Sequence, residues 1–336
     1  MEKRRLGVVL LAAVCAAAGA SVGLAYAQPA SSSASSSAAY PSQPVKLIVP
    51  WPPGGGVDTS ARIVSVPLGQ RLGQTVVIEN RPGAGGNIGT EIAARAKPDG
   101  YTLLMGSISP NAINVHLYSR LGFDPVKDFA PIGFVTSVPN VLVVPANSPH
   151  ADGNALIAFA KANPGKLNYG SAGVGSSQHL AAAMLIGATG IQIVHVPYKG
   201  TAPAEQDLIG GFVSMMLDTT ACLPFVAGGK MKAFAVASKA RNPALPSAPT
   251  FDEIGVAGVY SSSWYGLLAP AGTPREIVER VNAELNAVLA SPETRKRLAD
   301  FGGEQGGGTP EEFGRFMASE TARYADIVKA SGAKVE

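Results

Sequence analysis

From Val45 onward the apolar residues fall into two alternating patterns. Short runs of four or five, each closed by a loop rich in glycine or proline, alternate with longer stretches of helical spacing. Val45–Val49 predicts a strand, Pro52–Gly56 the loop after it, and a helix that starts near Asp58. Thr75–Glu79 repeats the strand, Asn80–Gly86 the loop and Ile88–Ala96 the helix. Asp99-Gly100 then turns the chain into a third strand, Tyr101–Met105. This strand–loop–helix rhythm is that of parallel α/β sheets.

The rhythm restarts at strand Val141–Val144. Helix Ala155–Ala162 stops at Asn163-Pro164-Gly165, and strand Leu167–Tyr169 leads through the loop Gly170–Ser177 into helix Gln178–Gly187. Strand Ile193–Val196, helix Ala202–Leu208 and strands Val213–Leu217 and Ala233–Ala237 follow. The last third is helical. Thr273-Pro274-Arg275-Glu276 and Thr309-Pro310-Glu311-Glu312 both read as capping boxes with proline in the first helical position. Ile277, Val278, Val281, Leu285 and Val288 share one face of the helix after the first box. Pro67 and Gly69 disturb the first helical pattern. No short repeat is present, which excludes a solenoid. Two runs of one layout predict two α/β lobes with a cleft between them.

Composition narrows the functional classes. At 336 residues the chain has room for about two domains, and 46% hydrophobic residues supply their cores. Residues 1–27 read as a secretory signal: a basic start (Lys3, Arg4, Arg5), an apolar middle from Leu6 to Ala20, and Ala25-Tyr26-Ala27 as cleavage site. Residues 28–39, nearly all Ser and Ala, read as a flexible tether. Cleavage after Ala27 removes three of 27 basic residues and one of 24 acidic, leaving a net charge of +1. That neutrality argues against nucleic acid, whose phosphates need a basic footprint. Cys15 leaves with the signal, so Cys222 has no partner for a disulfide and reads as a buried small hydrophobe.

Two loops can carry chemistry. Pro52-Pro53-Gly54-Gly55-Gly56-Val57-Asp58 places glycines between a strand and a helix N-terminus, where backbone N–H groups converge on an anion without any lysine. The plainer reading is a tight turn with Asp58 as N-cap. Tyr169-Gly170-Ser171-Ala172-Gly173-Val174-Gly175-Ser176-Ser177-Gln178-His179 has the same layout with three hydroxyls added. Neither loop holds the lysine of a nucleotide phosphate site, so a carboxylate suits these neutral donors better. Gly175-Ser176-Ser177-Gln178-His179 lacks the last glycine of a hydrolase elbow. His116, His150, His179 and His195 lack metal-binding spacing, and His179 and His195 read as loop-orienting rather than catalytic. Asp218 ends an apolar strand and can bond a ligand or close a helix.

Six blocks then carry a resemblance. They are Val49-Pro50-Trp51-Pro52-Pro53-Gly54-Gly55-Gly56-Val57-Asp58, Glu79 to Gly89 (ENRPGAGGNIG), Pro98-Asp99-Gly100-Tyr101-Thr102-Leu103-Leu104, Tyr169 to His179, His195-Val196-Pro197-Tyr198-Lys199-Gly200, and Ala269-Pro270-Ala271-Gly272-Thr273-Pro274. In order and spacing, from about Tyr40 to the C-terminus, the chain resembles the Bug family, periplasmic substrate-binding receptors of tripartite tricarboxylate transporters. The resemblance implies an α/β, two-lobed Venus-flytrap fold with a sheet flanked by helices in each lobe. Lobe 1 would comprise 40–139 plus 262–336, and lobe 2 would comprise 140–261. It also implies a periplasmic monomer that needs no metal or cofactor and catalyses nothing. Such a receptor captures a small organic carboxylate and hands it to a membrane permease.

The expected ligand-binding residues are Trp51, Gly54, Gly55, Gly56, Asp58, Ser107, Ser171, Gly173, Gly175, Ser176, Ser177, His179, Tyr198, Asp218 and Trp264. With Trp51, Tyr198 and Trp264 as flat walls, the expectation leans to an aromatic acid. The alternatives are an aliphatic di- or tricarboxylate, a ligand-bound partner for a sensor, and a hydrolase built on Ser176, Ser177 and His179.

Overall fold

The apolar runs become strands whose two faces are both covered. The computed structural model describes residues 40–335. The expected signal at 1–27, with Cys15, and the tether at 28–39 lie outside the described residues. In chain order the structure contains β1 (Val45–Val49), α1 (Gly56–Leu72), β2 (Val76–Asn80), α2 (Asn87–Ala94), β3 (Thr102–Ser107), β4 (Phe129–Pro139), β5 (Val141–Pro145), α3 (Gly153–Ala162) and β6 (Asn168–Ser171). Then come α4 (Ser177–Thr189), β7 (Val194–Pro197), α5 (Thr201–Ile209), β8 (Met215–Asp218), α6 (Leu223–Ala227), β9 (Met231–Val236) and β10 (Ser262–Pro270). Helices α7 (Arg275–Ala290), α8 (Pro292–Asp300) and α9 (Pro310–Ser331) complete the chain.

The strands form two sheets, ordered β2-β1-β3-β10-β4 and β7-β6-β8-β5-β9. Both are mixed rather than parallel throughout. β10 runs antiparallel to β3 and β4, and β5 antiparallel to β8 and β9. The segments that became β4 and β10 carry no strand–loop–helix signature, because antiparallel neighbours need no crossover helix. Alternation sorts the side chains between layers. Val45, Leu47 and Val49 of β1 join Leu103 and Met105 under α1, α7 and α8, whereas Ile48 and Leu104 face α2 and α9. In the second sheet, Leu142, Val144, Met215 and Leu217 face α3 and α4, while Val141, Val143 and Met216 face α5, with Cys222 buried among them.

Local signals resolve in different ways. Thr309 and Glu312 form the reciprocal capping box at α9. The box at Thr273 does not form: Pro274 takes the N-cap position, and the Thr273 hydroxyl instead donates to the Pro270 carbonyl at 2.7 Å, closing the turn out of β10. Gly69 sits where a Cβ would come within 2.9 Å of the Gln74 carbonyl, so glycine lets the turn fold back on α1. Nothing in the structure explains Pro67, which lies inside α1. The chain passes from the first sheet to the second at Asn140 and returns at Ser261. The two crossings lie side by side, with Asn140 N–H donating to the Ser261 carbonyl (2.9 Å) and Ser261 Oγ to Asn140 Oδ1 (2.8 Å).

Candidate functional site

Five strands end at one place. β1 and β3 of the first sheet, and β6, β7 and β8 of the second, point their carboxyl ends at a shared cavity, where ligands of α/β sheets usually bind. Its atom-free volume, mouth included, is about 490 Å³. Trp51, Pro52, Pro53, Gly55, Gly56 and Val57 follow β1, and Ser107, Ile108 and Ser109 follow β3. Ala172, Ser176, Ser177 and Gln178 follow β6, Thr201 follows β7, Thr219 follows β8, and Ser263 and Tyr265 come from β10. Helices α1, α4 and α5 therefore begin at its wall. The first turn of a helix leaves N–H groups without intrahelical partners, and each N-terminus carries about half a positive charge. No acidic or basic side chain lines the cavity. Neutral donors around an apolar slot can hold an anion through charge-assisted hydrogen bonds without an ion pair.

The β1–α1 loop is held open by Asp58, which is not the N-cap. Gly55 occupies that position, and the Asp58 carboxylate accepts from Gly54 N (3.0 Å), Arg62 Nε (2.8 Å) and Asn80 Nδ2 (3.0 Å). Burial opposes its ionisation, but hydrogen bonds from Arg62, Gly54 and Asn80 outweigh that and keep the carboxyl below its ordinary range. Asp58 thus shapes the loop from behind and does not line the cavity, and Gly54 likewise stands outside. Trp51 does line it, and its indole Nε1 donates to Ser107 Oγ at 3.1 Å.

The β6–α4 loop rests on a stack of rings. Tyr169 lies on His195 and His195 on His179, with centroids 4.7 and 4.3 Å apart. Ser171 Oγ meets His195 Nε2 at 2.6 Å, and Gly175 N–H donates to His179 Nδ1 at 3.3 Å. Ser176 is the N-cap of α4, accepting from His179 N and donating to the Gly173 carbonyl. Its hydroxyl thus meets the backbone of His179 and not the imidazole, so Ser176 and His179 do not form a nucleophile–base pair. Burial pushes His179 down to about 4, and burial together with its neighbour His179 does the same to His195. Both rings are neutral supports. Unfolded histidines take up protons below about pH 6.5, so between pH 6.5 and 4 the unfolded chain binds more protons than the folded one. Stability should therefore drop as pH is lowered from 6.5 to 4. Thermal melts should show the fall, and His179→Phe should flatten it; equal slopes in both proteins would contradict the neutral stack.

Of the expected residues, the cavity brings together Trp51, Gly55, Gly56, Ser107, Ser176 and Ser177. Ser171, Gly173, Gly175 and His179 form the support just described. Tyr198 turns away and donates to Asp207 at 2.6 Å. Asp218 is wholly buried behind Gln178, whose Nε2 reaches its Oδ1 at 2.5 Å. Trp264 is not a cleft wall. Side chains alternate along β10, so Ser263 and Tyr265 face the cavity while Trp264 packs edge-on to Phe313 and Phe316 of α9. Sequence reading missed Ser109, Gln178, Thr201, Thr219, Ser263 and Tyr265. Gln178 and Thr201 were within its reach, because each opens a helix next to a glycine loop.

Comparison with known proteins agrees with this geometry. The model of the tripartite tricarboxylate transporter family receptor matches residues 60–333. The protein BugT of Bordetella pertussis is 37% identical over 299 residues, covering 88% of this chain and 92% of BugT. A solved periplasmic transporter shares 40% identity with a TM-score of 0.85, covering 89% of this chain and all of that one. Rpa4515 of R. palustris, solved with adipate, shares 37% identity with a TM-score of 0.86, covering 88% of this chain and all of Rpa4515. No helix among the described residues is long and apolar enough to cross a membrane. With five strand ends and three helix starts closing on one uncharged cavity, and with relatives matched along most of its length, the chain belongs to the Bug receptors, the periplasmic solute-binding proteins of tripartite tricarboxylate transporters.

Proposed function

We propose that this receptor captures a small organic acid with one or two carboxylates and an apolar body, and delivers it to the permease of a tripartite transporter without altering it. The observation that carries this is a cavity whose polar wall consists of helix N-termini, hydroxyls and the Gln178 amide with no charged side chain, between apolar walls of Trp51, Pro52, Val57 and Ile108. The adipate bound by Rpa4515 has that chemistry. Export through the N-terminal signal and action as a monomer belong to the same reading. So do the lobe limits at 140 and 261, which the paired Asn140 and Ser261 crossings support. Delivery of the bound acid to a sensor would use the same cavity.

With Trp264 and Tyr198 away from the cavity, the case for an aromatic acid rests on Trp51, with Tyr265 added. A thermal-shift panel of adipate, malate, benzoate, phthalate and citrate tests the reading, since a ligand that binds only the folded state raises the melting temperature. Adipate or an aromatic acid should shift the melt most and citrate least, because three carboxylates exceed what neutral donors can offset. Trp51→Ala should weaken benzoate and phthalate more than adipate. Equal losses would end the aromatic preference. Absence of binding by every acid, or turnover of a bound one, would overturn the receptor reading.

A further inference from the structure

Behind the cavity lies a pair of carboxyl groups that the ligand contacts leave unused. Glu205 of α5 is 3% exposed and Asp218, at the end of β8, is fully buried, and the two carboxyl groups face each other within reach of a shared proton. Asp218 Oδ1 accepts from Gln178 Nε2 at 2.5 Å and from Thr219 N at 2.7 Å. Asp218 Oδ2 and Glu205 Oε1 are buried with no donor among the described residues. Two carboxylates can only accept, so a bond between them requires a proton on one. The groups that face the pair are Gln178 from α4, Cys222 from the turn after β8 and Tyr265 from β10. Burial raises the Cys222 thiol and the Tyr265 hydroxyl, so both stay neutral and none of these groups is basic.

The pair reaches the cavity through two side chains that line it. Gln178 is fixed in orientation, because Ala172 N–H can only donate to its Oε1 and Asp218 can only accept from its Nε2. The same Nε2 also donates to Thr201 Oγ1 at 3.3 Å. With one of its two lone pairs engaged there, the Thr201 hydroxyl can aim its own proton into the cavity. We propose that the proton-sharing Glu205–Asp218 pair, acting through Gln178, orients the Thr201 hydroxyl as a donor into the cavity and so favours ionised carboxylates, while tying affinity to one proton. Glu205 and Asp218 are positioning residues in this scheme, and Thr201 is the contact.

Burial raises both carboxyls. Asp218 Oδ1 accepts two N–H groups, which favour its ionised form, whereas Glu205 Oε1 has no donor among the described residues, so the shared proton favours Glu205. Glu205 also lines a second cleft, with Thr220, Phe225 and Leu245, which gives the proton a way to solvent that bypasses the ligand. Loss of the proton at alkaline pH puts a second negative charge behind the anion. At an effective dielectric constant near 20, an added like charge about 10 Å away weakens binding roughly tenfold.

The inference rests on the carboxylate-receptor reading and is tested with adipate, and with benzoate if adipate does not bind. Affinity measured by calorimetry should fall roughly tenfold from pH 7 to pH 10 in the native protein and stay level in Glu205→Gln, which keeps a donor to Asp218. Thr201→Val should lose roughly tenfold at pH 7, and Thr201→Ser should recover it. Infrared spectra of the unliganded protein at pH 7 should show a protonated carboxyl stretch that Glu205→Gln removes. A level profile in the native protein, the same fall in Glu205→Gln, or no such stretch overturns the inference while leaving the receptor standing. Absence of binding by either acid at every pH overturns the receptor reading and the inference with it.

Discussion

Gly56→Ala should weaken ligand capture about 100-fold while the protein still folds. Gly56 is the first residue of α1 and lines the cavity, and a methyl group there would overlap the Tyr265 hydroxyl and lie 3.1 Å from its ring carbon Cζ. Tyr265 is 2% exposed and held within β10, so it has nowhere to retreat. The N-terminus of α1 must move instead, taking with it the N–H groups that face the cavity. Hydrogen bonds to a charged group contribute about 1.5–3 kcal/mol each, so misplacing even one or two should weaken binding about 100-fold. Gly55→Ala is the informative contrast. Its Cβ would meet only the Thr201 side chain, at ordinary distances of 3.6 and 3.8 Å, and the backbone there is extended and open to any residue. Calorimetry with a cognate acid should therefore show a far smaller loss at 55 than at 56. Equal losses would mean that the loop's flexibility, and not the close approach to Tyr265, governs binding.

The second large effect is expected at Gly175, where Gly175→Val should both destabilise the fold and remove binding. Its φ of +80° lies in the left-handed region, where a side chain costs about 1–2 kcal/mol. The new Cβ would sit 2.5 Å from Leu117 Cδ2 and 3.0 Å from Asn114 Oδ1, and overpacking of this kind costs about 1–3 kcal/mol more. The strain falls next to Ser176, the cap of α4, and on the N–H that Gly175 donates to His179. Gly187→Ala serves as control: it lies within the same helix with nothing within 4 Å of a new Cβ, and should stabilise by about 1 kcal/mol. Denaturant melts of the two variants should move in opposite directions. A native-like midpoint for Gly175→Val would show that the loop tolerates a side chain at this φ.

Much of this protein is legible along the chain, because the signals involved are local. A strand end followed by Pro52–Gly56 or Gly170–Ser177 marks a helix N-terminus wherever it occurs, since only near neighbours decide which backbone N–H groups stay free. The same holds for the reciprocal cap of Thr309 and Glu312 and for the apolar face of α7. Family membership followed from such blocks in order. The tertiary structure alone decided which of these local features meet. Thr201, Thr219, Ser263 and Tyr265 come from three separate strand ends, and nothing near any of them in the sequence says that they share a wall. Asp58 and Trp264 show the complementary limit. A carboxylate beside a glycine loop and a tryptophan at a crossing both look ligand-facing, yet Arg62 and Asn80 draw the first behind the loop. The two-residue alternation of β10, set by its long antiparallel pairing with β4, turns the second into the core beneath α9. Periodicity and loop chemistry determine what each segment can do, whereas long-range pairing determines which face of it the ligand meets, because register and packing depend on residues far away in the chain.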